Sequence, residues 1–393
     1  MKYNFDTVLE RPDSLKWKAM KMIKPDVSPN VVPFTVADME FPLAPEINKG
    51  LKEFLDEAVL GYTARGESYY KAVIGWMENR HNWKIEKEWI IGMNSVLDGV
   101  AGAVKTFTEP GDGIIVMTPI YNPFYTIIEN HGRRIIRSPL IEKEGYYEID
   151  FQNLKENAKM DKSKMIIFCS PHNPVGRVWT KQELEKVVQI AVDNNLTIVS
   201  DEIHQDLIMP GNEHTVLANI SAEAAKRTIT CTSATKSFNL AGVPNANIII
   251  SDEALRAKFK EGIEASPYDA VNAMSAKACE IAYENGGQWI DSLNKQVYEN
   301  QKIVKEFFDE KFPIIKTRIT EGTYLQWIDF RDTNIAEKDL EDLFINKAEV
   351  FFNNGSMYGE EAEGFFRMNV ACPKKVIEDA LLRLESVLSS VLE

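Results

Sequence analysis

The feature that most constrains this chain is a succession of short, continuous apolar runs, each followed by a helical pattern. Trp89–Gly92, Ile114–Met117, Lys164–Cys169, Thr197–Ser200, Thr228–Ser233 and Asn247–Ile250 are the clearest of these runs. Strands buried on both faces of a parallel sheet read this way, whereas half-exposed strands alternate apolar with polar. Between them, Leu97, Val100, Ala101 and Val104 form a helix stripe, and Thr180-Lys-Gln-Glu183 is a capping box opening a helix to about Asn194. Strands alternating with helices predict the α/β class, with a mostly parallel sheet.

The flanks read differently. The first 45 or so residues hold Pro12, Pro25, Pro29, Pro33, Pro42 and Pro45, which disfavours long regular elements and predicts an extended arm. Tyr70, Val73, Ile74, Met77 and His81 then recur at helical spacing. From about Tyr268 to Phe312 the pattern predicts long helix. The remainder predicts two strands, one containing Tyr324-Leu-Gln-Trp-Ile, and helices near Glu337–Asn346 and Lys374–Leu392. The expected organisation is an arm and part of a small domain at 1–45, a large domain at 46–285, and a smaller α/β C-terminal domain at 286–393.

Composition narrows the function. With 393 residues, 44% hydrophobic and 26% charged, the chain is neither disordered, collagenous nor coiled coil. Its 45 basic residues against 59 acidic ones give a net charge of −14, which repels phosphate backbones and argues against nucleic acid as a partner. Cys169, Cys231, Cys279 and Cys372 lie far apart, which fits neither a disulfide framework nor a zinc site and predicts a reducing, cytoplasmic setting. Acids stand where a signal peptide would be apolar, and no apolar run approaches the ~18 residues of a membrane span. No G-x-G-x-x-G, Walker loop, H-E-x-x-H or G-x-S-x-G occurs, so dehydrogenase, ATPase, metalloprotease and hydrolase readings lose their usual support.

Ligands of open α/β sheets bind at the carboxyl ends of the strands, so the residues following each run carry the sharpest information. They are Met93-Asn-Ser95-Val96, Thr118-Pro-Ile-Tyr121, Ser170-Pro-His-Asn173-Pro-Val-Gly176, Asp201-Glu-Ile-His204 and Ser233-Ala-Thr-Lys236. A lysine, a carboxylate, an amide, hydroxyls and an aromatic ring converge on one rim. That set suits pyridoxal phosphate held as a Schiff base. The lysine binds the aldehyde, the carboxylate keeps the ring nitrogen protonated, and a helix N-terminus takes the phosphate.

Six segments carry a family resemblance. They are Val36-Ala-Asp-Met-Glu-Phe41, Gly61-Tyr-Thr63, Ser170-Pro-His-Asn-Pro174, Ser200-Asp-Glu-Ile-His204, Ser233-Ala-Thr-Lys-Ser-Phe-Asn239 and Phe366-Arg-Met-Asn369. In their order and spacing the chain resembles the fold-type I, class I/II aminotransferase superfamily along nearly its whole length. Within it, the chain looks most like the cystathionine β-lyase branch, the MalY/PatB-type C–S lyases. The resemblance implies a fold-type I pyridoxal-phosphate transferase fold, with a mostly parallel seven-stranded sheet in the large domain. It implies Lys236 as the Schiff-base lysine, Asp201 as the ring-nitrogen partner, Asn173 on the ring oxygen and Tyr121 stacked on the ring. Ser233 and the Ser95–Val96 turn would hold the phosphate, His204 would lie beside the cofactor, and Tyr62 would reach the neighbouring subunit's phosphate in a homodimer with shared sites. Arg367 would grip the substrate α-carboxylate, with Asn173 and the Ala37–Asp38 segment beside it.

Two positions depart from the general aminotransferase pattern. Pro244 stands where an arginine usually meets the phosphate, and His204 where tyrosine is common. Both favour a lyase. The expected activity is α,β-elimination from a sulfur-bearing amino acid such as cystathionine or a cysteine conjugate, giving thiol, pyruvate and ammonia. The alternatives are an aminotransferase acting with a 2-keto acid, and a regulatory protein that retains the fold.

Overall fold

The computed structural model describes residues 3–263 and 271–392. In chain order, the first half runs α1 (Leu15–Ile23), α2 (Pro45–Glu57), α3 (Glu67–His81), β1 (Ile90–Met93), α4 (Val96–Phe107), β2 (Gly113–Thr118), α5 (Pro123–Asn130), β3 (Arg134–Pro139), β4 (Ile141–Lys143), β5 (Tyr146–Glu148), α6 (Phe151–Ala158), β6 (Ser163–Cys169) and α7 (Lys181–Asp193). The second half runs β7 (Thr197–Asp201), α8 (Ala222–Ala225), β8 (Thr228–Thr232), α9 (Ala234–Ser237), β9 (Ala246–Ile249), α10 (Glu253–Ile263), α11 (Ala273–Asn285), α12 (Gly287–Lys311), β10 (Lys316–Thr317), β11 (Leu325–Asp329), α13 (Glu337–Leu343), β12 (Asn353–Asn354), β13 (Phe365–Asn369) and α14 (Lys374–Leu388).

Seven strands form the large sheet in the order β1-β9-β8-β7-β6-β2-β3. The pairs β2–β3, β2–β6, β6–β7 and β7–β8 are parallel, as the apolar runs predict. The Asn247–Ile250 run is the exception, since β9 pairs antiparallel with both β8 and β1. A strand covered on both faces is uniformly apolar whichever way it runs, so the pattern carries no direction. Strand β3 escapes the apolar-run criterion because it is an edge strand with exposed Arg134, Arg137 and Pro139.

The smaller sheet is antiparallel throughout, in the order β10-β11-β13-β12. It has four strands where the sequence pattern predicts two, because β10 and β12 are two residues long. The long helical stretch is two helices broken at Gly286; its first three residues lie outside the described ones. A Cβ at Gly286 would lie 2.3 Å from Phe238 Cε1, so only glycine allows this close approach beside the lysine-bearing turn.

The proline-rich arm is extended except for α1, which buries Trp17 and Met20. Its later part joins the small sheet by backbone bonds: Phe34 N–H donates to Phe351 O, Asn369 N–H to Phe34 O and Glu40 N–H to Ala371 O. These bonds carry residues 34–41 to the carboxyl edge of the large sheet.

Candidate active site

One cavity of about 570 Å³ opens at that edge. It is lined by residues from five strand ends of the large sheet, from the arm and from the small sheet, among them Ser95, Val96, Tyr121, Asn173, Asp201, His204, Lys236, Ala37 and Arg367. The sequence places most of these one to four residues beyond a buried strand, so the sheet itself gathers them.

Local chemistry sets each side chain. Ser95 caps α4, its Oγ accepting the Asp98 N–H at 3.1 Å, and directs the first turn of that helix at the cavity. The loop carrying Asn173 turns back on itself at Gly176, whose φ is +70° and whose Cβ would strike Thr320 at 2.3 Å. Asn173 Oδ1 accepts from Arg367 Nη1 at 3.0 Å, and Arg367 Nη2 donates to Asn353 Oδ1 at 2.9 Å. Arg367 is 3% exposed, lies over the Tyr358 ring, and its Nε has no partner.

Asp201 ends β7, and one oxygen accepts the Ile203 N–H at 3.1 Å. Burial pushes its carboxyl up to about 7. Lys236 sits on α9, where burial and the Arg367 charge lower its ammonium to about 8 against the opposing pull of Asp38 and Asp201. Its Nζ donates to Ala37 O at 2.6 Å. His204 packs against the Tyr324 ring and leaves Nδ1 unpartnered. Burial and the charges of Lys236 and Arg367 push it down to about 3, so it is neutral at physiological pH. Tyr121 walls the cavity with its ring edge-on to Phe124, and burial raises its hydroxyl.

Three expected residues stand apart from the cavity. Ser233 caps the lysine turn, accepting the Thr235 N–H at 3.0 Å and donating to Asn245 O, and Thr235 lines the cavity in its place. Asp38 turns toward the arm, pairing with Lys16 at 2.9 Å and Arg11 at 2.7 Å. Tyr62 is fully exposed on the protein surface, away from this cavity.

Sequence reasoning missed Val36, Tyr324, Asn353 and Tyr358. Val36 lines the cavity with φ at +37°, a costly conformation for a β-branched residue, on the order of 1–3 kcal/mol. It is held there because Asn369 Nδ2 donates to Val36 O at 2.8 Å and to Asp38 O at 2.6 Å, while Tyr324 Oη donates to Ala37 O at 2.9 Å. The linear signal was present for Asn369, within Phe366-Arg-Met-Asn369, but no local pattern links it to Val36.

The buried lysine, the singly bonded carboxylate, the unpartnered ring nitrogen of His204, the buried guanidinium of Arg367 and the capped helix start suit a site for an anionic, electron-withdrawing aldehyde and an amino acid. The model of the aminotransferase class I and II family matches residues 29–384, and the chain belongs to that family. Among its relatives, cystathionine beta-lyase PatB of Bacillus subtilis is 37% identical, over 98% of this chain and all of that one. The crystal structure of cystalysin from Treponema denticola, which contains a pyridoxal 5'-phosphate cofactor, superposes with a TM-score of 0.97 at 47% identity, covering 99% of this chain and 100% of that one. The PLP-bound C–S lyase of Staphylococcus hominis superposes with a TM-score of 0.90 at 30% identity, covering 98% of each chain. The residues of this cavity fit pyridoxal phosphate, since Asp201, Asn173 and Lys236 offer an acceptor, an amide and an amine on one rim and the first turn of α4 offers backbone donors.

Proposed function

We propose that the protein is a pyridoxal-phosphate-dependent C–S β-lyase, converting an S-substituted cysteine and water to a thiol, pyruvate and ammonia. The observation that carries this is the lysine of lowered basicity facing Asp201 and Arg367 in one buried cavity. The kinship to C–S lyases over the full chain supports β-elimination as the outcome.

Lys236, Asp201 and Asn173 would hold the cofactor, together with Tyr121, His204 and the Ser95–Val96 turn. Bound there, the cofactor supplies an electron-accepting ring that makes the Cα–H bond of an attached amino acid acidic. Arg367 has its fork fixed by Asn173 and Asn353, each taking one of the two N–H groups of a terminal nitrogen, so the remaining N–H groups can bind the α-carboxylate without reorganising. Lys236 Nζ, with a basicity near 8, is neutral often enough to take the Cα proton and acidic enough to pass a proton to the departing sulfur. Asp201 would keep a proton at the ring nitrogen of the bound cofactor. Neutral His204 adds no positive charge beside Lys236.

The wider organisation follows the same reading. A homodimer with Tyr62 completing the neighbouring site is supported by the exposed apolar side chains of Leu55, Val59, Leu60 and Tyr62. Among the described residues no helix is long and apolar enough to cross a membrane, in keeping with a cytoplasmic enzyme. The division at 1–45, 46–285 and 286–393 is supported by the two separate sheets and the helix break at Gly286.

The test is direct. Purified protein supplied with cystathionine should release pyruvate and thiol with no keto acid added. Turnover that requires a keto acid would make it an aminotransferase. No turnover with either, in a protein that still holds the cofactor, would favour a regulatory role.

A further inference from the structure

Lys236 and Asp201 each have a chain neighbour whose side chain turns away from the cofactor cavity into a second buried polar cluster. Ser237 follows Lys236, and its Oγ donates to Asp206 Oδ2 at 2.5 Å. Asp206 Oδ1 accepts from Trp76 Nε1 at 3.0 Å and lies 2.8 Å from His81 Nε2. The Asp206 carbonyl accepts from Asn294 Nδ2 at 2.8 Å. One carboxylate residue therefore ties the lysine turn to α3 and α12. That turn, α9, is four residues long and cannot hold its own shape.

Asp201 is braced in the same manner from both sides. Ser200 Oγ donates to Glu202 Oε1 at 2.7 Å, and the Leu217 N–H donates to the same oxygen at 3.1 Å. Glu202 Oε2 lies 2.8 Å from His214 Nε2. The two imidazoles then meet edge to face, His81 against His214, with ring centres 5.8 Å apart. Glu202, Ser200 and Ser237 are each 0% exposed, so water does not compete for the bonds of the two hydroxyls, while Asp206, His81 and His214 line a separate surface cavity. None of these groups lines the cofactor cavity.

We propose that Asp206–His81 and Glu202–His214 form one positioning network that sets Lys236 relative to Asp201, attached to them through Ser237 and Ser200. The inference rests on the proposed function, in which those two residues act on one cofactor. Burial pushes the Asp206 carboxyl up, but the bonds from His81, Ser237 and Trp76 and the charge of His81 outweigh it and hold the group below its usual range. An ionised acceptor makes charge-assisted bonds, which are strong and directional. Reacting groups displaced by about 1 Å lose on the order of a hundredfold in rate, so a brace of this kind is felt in the chemical step.

The test uses the holoenzyme and two mild variants, Ser237→Ala and Ser200→Ala, each losing one hydroxyl. Three quantities are read: the melting temperature, the split between kcat and KM for a cysteine thioether, and the pH midpoint of the visible cofactor band without substrate. Each variant is expected to lower kcat about tenfold with KM within twofold, and to move the spectral midpoint by about half a pH unit. The double variant should fall short of the product of the two effects by at least about threefold, because the network is shared. A lowered melting temperature with kcat and midpoint unchanged would reduce the cluster to core packing and overturn the proposal. Multiplicative effects would overturn the single network. A wild-type protein without a visible band, or with borohydride fixing the cofactor elsewhere than Lys236, would instead defeat the proposed function.

Discussion

Arg367 Nη1 donates to Asn173 Oδ1 at 3.0 Å, joining strand β13 of the small sheet to the loop after β6 of the large one. The guanidinium is buried and held by two side-chain acceptors, each taking one N–H of a terminal nitrogen that keeps a second. The meeting of two sheets thus fixes the one cation proposed to bind the substrate carboxylate.

Arg367→Ala removes a preorganised cation and leaves Asn173 and Asn353 unpaired. Steady-state kinetics with a cysteine thioether should show kcat/KM lowered by about a hundredfold, mostly through KM, since a charge-assisted contact contributes on the order of 1.5–3 kcal/mol. An unchanged KM would remove Arg367 from the carboxylate site.

Lys236 is expected to react as a neutral amine. In cofactor-free protein, labelling of Lys236 by an amine-directed reagent, followed by peptide mass spectrometry, should rise with pH to half its maximum near pH 8 and level off above it. Lys236→Ala should lower turnover by about 10²- to 10⁴-fold, the range of a lost general base. Labelling that rises only above pH 10 would show an ordinary exposed lysine.

Asp201 makes the cofactor-free protein sensitive to pH in a defined direction. Its folded value of about 7 lies above the ordinary 3.8, so the native state binds the proton more tightly than the unfolded chain. Its contribution to stability is fully present below about pH 4 and is lost as pH rises through 7. Urea unfolding of the cofactor-free forms should show Asp201→Asn gaining on the wild type between pH 4 and 7, by on the order of a few kcal/mol, with a plateau above. A difference that is flat across this window would contradict the buried, unpaired carboxyl. In the holoenzyme the same variant should lose activity, because the ring nitrogen loses its anionic partner.

Tyr62 tests the shared site. Tyr62→Ala and Lys236→Ala proteins, each impaired alone, should regain about a quarter of wild-type activity when refolded together. Half the dimers formed at random are mixed, and each of those has one intact site. No regain of activity on mixing would place Tyr62 outside any shared site.

Much of the large sheet was legible because the information is local. A strand buried on both faces is apolar along its length, and a residue just past its carboxyl end is on the ligand-binding rim whatever the rest of the chain does. Tyr121, Asn173, Asp201, His204 and Lys236 all line the cavity for this reason. Ser233 follows the same rule in sequence yet misses the cavity, because a Ser at a helix start can satisfy itself by capping. Strand β3 was hidden by its exposed edge, and β10 and β12 by their length.

The sequence by itself determined the α/β class, the buried strands and the chemical inventory of the rim, since each depends on residues close together in the chain. Only the tertiary structure decided that Ala37 presents its carbonyl to Lys236 from 199 positions away, that Asp38 faces Lys16 and Arg11, and that β9 runs against its neighbours. Those outcomes depend on which surfaces pack together and in which direction. A buried polar group takes the partner that packing brings to it, and apolar burial is indifferent to strand polarity.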